Sequence, residues 1–226
     1  MLLEGMRQPQ MSRWRSVQRG LMESAMDRWS RLRIRLFTRL IAGQFQQFGA
    51  GSRIEPPFRH RNLGEISVEE DVMIHRDCWI QAVSSQDKGL SPKLILKRGA
   101  GIGMGATISA AQSVLIGEYA LLARNVYISD HGHAFENVKE PIMYQGITEP
   151  RPVSIGRHSW LGQNACVFPG VTIGQHCVIG ANSVVNSSIP DFSVAVGAPA
   201  RVVRKYNQDS GRWEAAKTES SSGLSA

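Results

Sequence analysis

The chain has 226 residues, of which 42% are apolar and 20% charged, with a formal net charge of +7 and three cysteines. That length suits one domain with extensions and excludes two domains of ordinary size. The cysteines are odd in number and lack any C-x-x-C or other metal-binding spacing, which argues against a disulfide framework and a zinc site. No apolar stretch reaches the length of a membrane span, and the start lacks the pattern of a secretory signal, so we expect a cytoplasmic protein.

Residues 1–50 hold most of the net charge. They contain nine arginines against three acidic residues, which gives +6 and leaves only about +1 for the rest of the chain. Any anionic partner should therefore be sought at this end of the chain and not on the body. No recognised nucleic-acid-binding motif accompanies the arginines, so nucleic acid is not expected.

Within this basic extension, residues 18–42 predict an amphipathic helix. Its apolar positions recur every three or four residues, at Met22, Ala25, Met26, Trp29, Leu32, Leu36 and Leu40. Arginines form a neighbouring stripe, at Arg28, Arg31, Arg35 and Arg39. Two interpretations stay open: the helix docks on the rest of the protein with its arginines in solvent, or it lies at the surface of an anionic membrane.

A six-residue repeat dominates the rest of the chain. Aliphatic residues return every six positions at Ile155, Leu161, Val167, Ile173, Ile179 and Val185, usually followed by glycine. This period predicts an all-β fold, a parallel β-helix in which short strands alternate with bends and the aliphatic residues point inward. We expect the glycine to serve the bend, where a positive φ is needed. A β-sandwich would have turns every eight to twelve residues and no strict period of six.

The same register continues upstream with interruptions. It includes Val68, Ile74, Ile80, Ile102, Ile108, Ile116, Leu122 and Ile128. The β-helix is therefore predicted over 51–206, with loop insertions near 82–93 and 131–152. In a solenoid such insertions lie on one face, often the functional one. Residues 207–226 are polar and predict a disordered tail.

Three short motifs carry a resemblance that spans about residues 54–205. They are Ser-Trp-Leu-Gly at 159–162, Pro-Gly-Val-Thr-Ile-Gly at 169–174 and Val-Gly-Ala-Pro-Ala-Arg at 196–201. With the repeat, they resemble the hexapeptide-repeat acyltransferases, in particular the galactoside, maltose, nodulation-factor and exopolysaccharide O-acetyltransferases. The resemblance implies a left-handed β-helix, a homotrimer, acetyl-CoA bound between neighbouring β-helices as acyl donor, and a sugar or glycan as acceptor.

The resemblance also assigns the cofactor contacts. These are Trp160, Gly162, Ala181, Arg201 and Arg204. The tryptophan matches a residue beside the pantetheine channel, the alanine a small residue that admits the cofactor, and the arginines basic residues near its phosphates, which arginine can bind in bidentate fashion. Relatives often have Thr-Lys where this chain has Asn186 and Ser187, so a lysine contact with phosphate is missing.

The catalytic base is expected at the start of the second insertion. Acyl transfer to a hydroxyl needs a group that takes the hydroxyl proton, and histidine is the side chain best matched to neutral pH. The family places its catalytic histidine where the motif Asp130-His131-Gly132-His133 occurs. We expect His131 to be the base, with His133 as the alternative or as a substrate contact. Neither a metal nor a covalent intermediate is expected.

The groups around that base stay open at this stage. Glu136, Glu140 and Glu149 lie in the insertion and could orient the histidine, whereas Asp130 should point away if the backbone is strand-like. Asn125 and Ser109 are candidates for stabilising the oxyanion by location only.

Three other functions are weighed against a glycan O-acetyltransferase. A zinc carbonic anhydrase can be built on this fold, but the histidine spacing does not match its ligands. A non-catalytic scaffold is possible because fold does not ensure function. An amine on an amino or nucleotide sugar could replace the hydroxyl. The basic helix favours a glycan acceptor in polysaccharide or lipopolysaccharide biosynthesis, with the enzyme cytoplasmic or peripheral at the inner face of the membrane.

Overall fold

The computed structural model describes residues 8–83 and 92–216, with side chains from residue 25 onward. One long helix, α1 (Gln8–Ala42), precedes a series of short strands. The first eighteen strands form six coils of three strands each.

The strands of the first three coils are β1 (Gln47–Phe48), β2 (Arg53–Ile54), β3 (Arg59–Arg61), β4 (Ile66–Val68), β5 (Met73–Ile74), β6 (Trp79–Ala82), β7 (Leu94–Leu96), β8 (Gly101–Ile102) and β9 (Thr107–Ala110). Those of the next three are β10 (Val114–Ile116), β11 (Leu121–Leu122), β12 (Tyr127–Ser129), β13 (Val153–Ile155), β14 (Trp160–Leu161), β15 (Cys166–Val167), β16 (Thr172–Ile173), β17 (Val178–Ile179) and β18 (Val184–Val185). Short 3-10 turns occur at Leu63–Glu65 and Ile142–Tyr144.

Every strand of a coil pairs in parallel with the equivalent strand of the next coil. The first sheet has the order β1-β4-β7-β10-β13-β16, the third the order β18-β15-β12-β9-β6-β3, and the second begins β2-β5-β8-β11-β14-β17. This topology is a parallel β-helix, as the six-residue period predicts.

The repeating aliphatic residues form one continuous core. Ile155, Leu161 and Val167, one from each sheet of a coil, are fully buried, and the register places Ile155 between Ile116 and Ile173 of the adjacent coils. The coils begin at Gln47, before the predicted boundary at residue 51, because β1 already pairs in parallel with β4, with Gln47 opposite Ser67.

The glycine that follows the aliphatic residue serves the stacking of coils and not the bend. A Cβ on Gly156 would collide with the backbone of Gly174 in the next coil, and one on Gly162 would lie 2.6 Å from the amide nitrogen of Ala181. The positive φ angles occur two positions later instead, for example 60° at His158. The expectation of a positive φ at these glycines is therefore wrong: coils about 4.8 Å apart leave no room for a side chain there.

The second insertion connects β12 to β13 and is fastened at its base. The amide of Gly132 donates to Oγ1 of Thr148 at 2.9 Å, and the amide of Thr148 donates to the carbonyl of Gly132 at 2.9 Å. The amide of Arg151 donates to the carbonyl of Asp130 at 2.7 Å. The insertion therefore leaves and rejoins the coils at one point. Of the first insertion, residues 84–91 lie outside the described residues.

Helix α1 ends where the sequence predicts, at Ala42, but begins at Gln8 and not at residue 18. Its contact with the coils uses Thr38 and Ile41, which are buried, and Phe37, which packs against the core. The amide of Ile54 donates to Oγ1 of Thr38 at 2.9 Å, which ties the helix to β2. Across the described residues, no helix is long and apolar enough to cross a membrane.

The C-terminal segment closes the second sheet. β19 (Ser193–Gly197) adds in parallel to β17, and β20 (Ala200–Asn207) and β21 (Arg212–Ala215) follow as antiparallel strands. The prediction of a disordered tail over 207–226 is thus wrong up to residue 216, because β21 pairs with β20 in antiparallel fashion and orders this polar segment. Residues 217–226 lie outside the described residues.

Candidate active site

A buried carboxylate anchors the start of the second insertion. Asp130 follows β12 and is fully buried. Its carboxylate accepts hydrogen bonds from three consecutive backbone amides of the neighbouring coil: Ala111 at 2.8 Å, Gln112 at 2.7 Å and Ser113 at 2.8 Å. Burial of the carboxyl raises the pKa of Asp130, but the hydrogen bonds from His131 and these amides outweigh it and hold that pKa below its ordinary value.

The same carboxylate orients His131. Nδ1 of the histidine lies 2.7 Å from Oδ1 of Asp130, and the imidazole is only 10% exposed. Since an ionised carboxylate can only accept, Nδ1 carries the proton and Nε2 of the neutral ring is left as a proton acceptor. The expectation that Asp130 points away from His131 is wrong, because the chain turns at the corner of the coil directly after Ser129.

Among the described residues, the glutamates of the insertion do not orient His131. Oε2 of Glu136 accepts from the amide of Phe135, and Oε2 of Glu140 lies 3.5 Å from Nδ2 of Asn137. Glu149 is exposed. Within the described residues, none of the three forms a hydrogen bond or an ion pair with His131.

Polar residues of three stacked coils lie beside the histidine. The register places Gln81, Ser109 and Ser129 side by side on β6, β9 and β12. Nε2 of Gln81 donates to Oγ of Ser109 at 2.9 Å, and that oxygen lies 3.5 Å from Nε2 of His131. Ser109, a candidate by location, therefore reaches the base.

Asn125 lies elsewhere. Its Nδ2 donates to Oδ1 of Asn164 at 3.2 Å, and Nδ2 of Asn164 donates to Oδ1 of Asn182 at 2.9 Å. All three residues have positive φ at the bends of successive coils. Asn125 thus belongs to a structural asparagine ladder.

His133 differs from His131 in its surroundings. It pairs with Ile147 through an antiparallel bridge, and its side chain is exposed. In the described part of the chain its imidazole makes no hydrogen bond or ion pair. The structure therefore brings only the first of the two histidines together with a carboxylate.

Three of the residues assigned to the cofactor, Trp160, Arg201 and Arg204, lie on strands of the second sheet with exposed side chains. Trp160, which is 47% exposed, pairs with Val178, Val178 with Val194, and Val194 with Arg204. This row runs across three strand spacings, about 14 Å, from an indole ring to a guanidinium. Arg201 is exposed further along the same strand, on which its Nη1 donates to the carbonyl of Ala200 at 2.9 Å.

Two smaller residues complete that set. Ala181 is exposed at the turn after β17, whereas Gly162 is buried against its backbone. Gly162 therefore acts by letting the coils stack beneath Ala181. An apolar row that ends in Arg204, with Arg201 on the same strand, suits a long ligand with an apolar arm and phosphates, which is the chemistry of coenzyme A.

Two of the three cysteines are buried, and burial keeps their thiols protonated. All three cysteines are free thiols, and burial raises the pKa of Cys78 to about 11. Burial also raises the pKa of Cys177. A thiol with such a pKa is protonated at neutral pH and is a poor nucleophile. Across residues 8–83 and 92–216, no group of three or more side chains that could hold a metal ion lies together.

Known proteins share this sequence pattern. A family model described as the hexapeptide repeat of succinyl-transferase matches residues 152–187. A putative lipopolysaccharide biosynthesis O-acetyl transferase, WbbJ, of Escherichia coli (strain K12) is 41% identical over 48% of this chain. The match covers 59% of that relative, so the chain spans less than two thirds of its length.

Two further proteins match over a longer stretch. The N-acyltransferase AntD of Bacillus cereus, solved with a dideoxy-amino sugar nucleotide and coenzyme A, shares the fold with a TM-score of 0.64 at 20% identity, over 76% of this chain and 89% of AntD. The galactoside O-acetyltransferase of Escherichia coli (strain K12) is 30% identical over 76% of this chain and 86% of its own length. With its coils, its histidine and this match, the chain belongs to the hexapeptide-repeat acetyltransferase family.

Proposed function

We propose that this protein transfers an acetyl group from acetyl-CoA to a hydroxyl of a sugar or glycan. The observation that supports this most is the pair of Asp130 and His131 at the mouth of the insertion. A buried carboxylate that is fixed by three backbone amides costs free energy to desolvate, and a merely structural anchor has no need of an imidazole 2.7 Å away. This pair also argues against a non-catalytic scaffold.

In the proposed mechanism His131 is the general base. Nε2 takes the proton of the acceptor hydroxyl while the hydroxyl oxygen attacks the thioester carbonyl. The carboxylate of Asp130 stabilises the imidazolium so formed. When the tetrahedral intermediate collapses, the C–S bond breaks and the imidazolium returns its proton to the departing thiolate. Acceptor and donor react directly, without a covalent enzyme intermediate.

Ser109 is proposed to act on the developing charge. Its hydroxyl accepts from Gln81, which leaves the hydroxyl proton free to point toward the reacting atoms beside Nε2 of His131. A hydroxyl in this place can stabilise an oxyanion.

The donor is proposed to lie along the outer row of the second sheet. Trp160 and Ala181 would border the pantetheine arm, and Arg201 and Arg204 would bind its phosphates. The solved structure of AntD, which contains coenzyme A, shares the fold, and this supports coenzyme A as the donor.

We infer that the β-helix is left-handed and that the enzyme is a homotrimer. Within one chain His131 follows a strand of the third sheet, whereas Trp160 belongs to the second sheet. A site that needs both faces is completed when a second copy supplies one of them. We also propose that the catalytic domain extends from the first coil to about residue 206. A basic helical extension precedes it and contacts a membrane through residues 18–42. The protein is proposed to be cytoplasmic.

The acceptor class rests on the relatives that act on glycans. The name of WbbJ refers to lipopolysaccharide biosynthesis and that of the second relative to galactosides, which supports a glycan hydroxyl. Transfer to the amine of an amino or nucleotide sugar is the alternative, since the same base would serve it.

Release of free thiol from acetyl-CoA, measured against a panel of sugars, amino sugars and lipid-linked oligosaccharides, tests the proposal. We expect turnover with a hydroxyl acceptor and its loss, by about 10²-fold or more, in His131→Ala. The matched variant is His133→Ala, which should keep most of the rate. Loss only in His133→Ala would move the base to that exposed residue, and full activity in both variants would refute the mechanism.

A further inference from the structure

Helix α1 shows two distinct faces in the structure. One face packs against the coils through Phe37 and Ile41, and Ile34 on the same face is half-buried. The other carries a row of large apolar side chains in solvent: Met26 is 65% exposed, Trp29 68%, Leu32 47%, Leu36 56% and Leu40 79%. The apolar stripe of the sequence is thus not the surface by which the helix docks.

Because docking uses the opposite side, the apolar face is held outward. The hydrogen bond between Thr38 and Ile54 and the burial of Ile41 fix the last turns of the helix relative to the coils. Five neighbouring exposed apolar side chains on one rigid helix exceed what a soluble surface usually shows and mark a contact site.

The charges beside this face identify its partner. Arg28, Arg31, Arg35 and Arg39 are all exposed and follow one another along the helix at three or four residue steps. None of them forms an ion pair with a described residue. A packed interface with copies of the same helix would bring these like charges together, whereas lipid phosphates would neutralise them.

We propose that the exposed face of α1 binds an anionic phospholipid surface. The apolar row enters the boundary between headgroups and acyl chains, and the arginines bind lipid phosphates. The helix lies along the membrane and does not cross it.

The step from this membrane contact to an acceptor rests on the proposed acetyltransferase function. An enzyme held at a membrane by its N-terminal helix presents its coils to acceptors attached to lipid. We therefore infer that the acceptor is a lipid-linked glycan, and we expect better turnover with such an acceptor in vesicles than with the same glycan in solution.

Flotation of the full chain with vesicles tests the contact. The vesicles contain either phosphatidylcholine alone or equal parts of phosphatidylcholine and phosphatidylglycerol. The test variant changes the four arginines to glutamine, a residue of similar helix propensity, as Arg28→Gln, Arg31→Gln, Arg35→Gln and Arg39→Gln. The matched control removes four exposed arginines of the coils and C-terminal strands, as Arg59→Gln, Arg61→Gln, Arg124→Gln and Arg212→Gln.

We expect the wild type and the control to float with anionic vesicles only. Each arginine near such a surface is worth about fivefold in binding, so the test variant should bind roughly a hundredfold or more weakly. Leu36→Gln combined with Leu40→Gln should lower binding by about tenfold or more. High salt should weaken binding in the wild type, because the Debye length falls to about 3 Å at 1 M.

Two results would overturn the inference. One is equal flotation of the wild type and the arginine variant. The other is no flotation of the wild type with anionic vesicles. If the leucine variant then also has a changed molar mass in light scattering, the face is an interface between copies. Thiol release with a soluble sugar, measured on the same variants, keeps the proposed function separate, since His131→Ala should float and yet lose turnover.

Discussion

Replacing Asp130 by asparagine separates the two tasks of this carboxylate. Oδ2 accepts from the amides of Gln112 and Ser113, and Oδ1 faces Nδ1 of His131. In Asp130→Asn the single oxygen takes the place of Oδ2, where three amides point at it, because an amide nitrogen there would meet only donors. The NH₂ group must then face the histidine.

That arrangement reverses the tautomer of the base. An NH₂ group donates to Nδ1 of His131, so the ring proton moves to Nε2, and the atom that should accept the hydroxyl proton becomes a donor. The analogous change in a serine-protease triad lowers kcat by about 10⁴. We therefore expect kcat to fall by about 10³ to 10⁴, while KM for acetyl-CoA stays within about threefold, since the cofactor row lies on another sheet.

The stability of Asp130→Asn should fall less than its activity. The amide oxygen keeps the hydrogen bonds at the Oδ2 position but loses the charge, which is worth about 1–3 kcal/mol in hydrogen bonds to an ionised group. Urea unfolding followed by circular dichroism measures this loss, and thiol release measures kcat. Glu140→Gln, an isosteric change of an exposed carboxylate in the same insertion, serves as the control. A folded Asp130→Asn protein with a kcat within threefold of the wild type would refute the role of Asp130.

Three further predictions follow from the same geometry. The pKa of Asp130 is lowered in the folded state, so its contribution to stability is present above the ordinary carboxyl pKa of about 3.9 and is lost as the pH falls through the lowered pKa. Urea unfolding should therefore show that the difference in free energy of unfolding between wild type and Asp130→Asn shrinks at acidic pH. A difference that widens there would contradict this. Gly156→Ala places a Cβ against the backbone of Gly174 and should cost about 1–3 kcal/mol or more in urea unfolding, whereas Gly43→Ala, with open space around it, should cost little. Arg204→Gln should raise KM for acetyl-CoA by about 10-fold to 100-fold with kcat nearly unchanged. Arg212→Gln on β21 is the control and should leave KM unchanged. Equal effects of the two substitutions on KM would remove Arg204 from the proposed phosphate site.

The core of the fold could be predicted from the sequence because one aliphatic residue in six obeys a strict period. Ile155, Leu161 and Val167 must all point inward for any coil to close, so the pattern alone places them. The glycine that follows has two possible causes, a positive φ or a close neighbour. Sequence cannot separate them, since the colliding backbone of Gly174 belongs to a different coil.

The surroundings of the base were less predictable for a related reason. His131 could be found from its motif, but the role of Asp130 depends on a turn of the backbone and on amides of the preceding coil. Gln81 gave no signal of its own. Only the register of β6, β9 and β12, interrupted in sequence by the first insertion, places it beside Ser109. Counting residues across an insertion of unknown path does not give that register.

The stacking of coils also determines how the site can fail. Gln81, Ser109 and His131 come from three successive coils, and the amides that hold Asp130 come from the turn between β9 and β10. Each coil contacts only its neighbours, so a change that loosens one coil shifts the groups next to the base even when the core stays buried. The rate of acyl transfer should therefore be more sensitive than global stability to substitutions in the coils from β6 to β12. Substitutions of equal cost in the first coil, far from His131 along the solenoid, should affect stability and leave the rate almost unchanged.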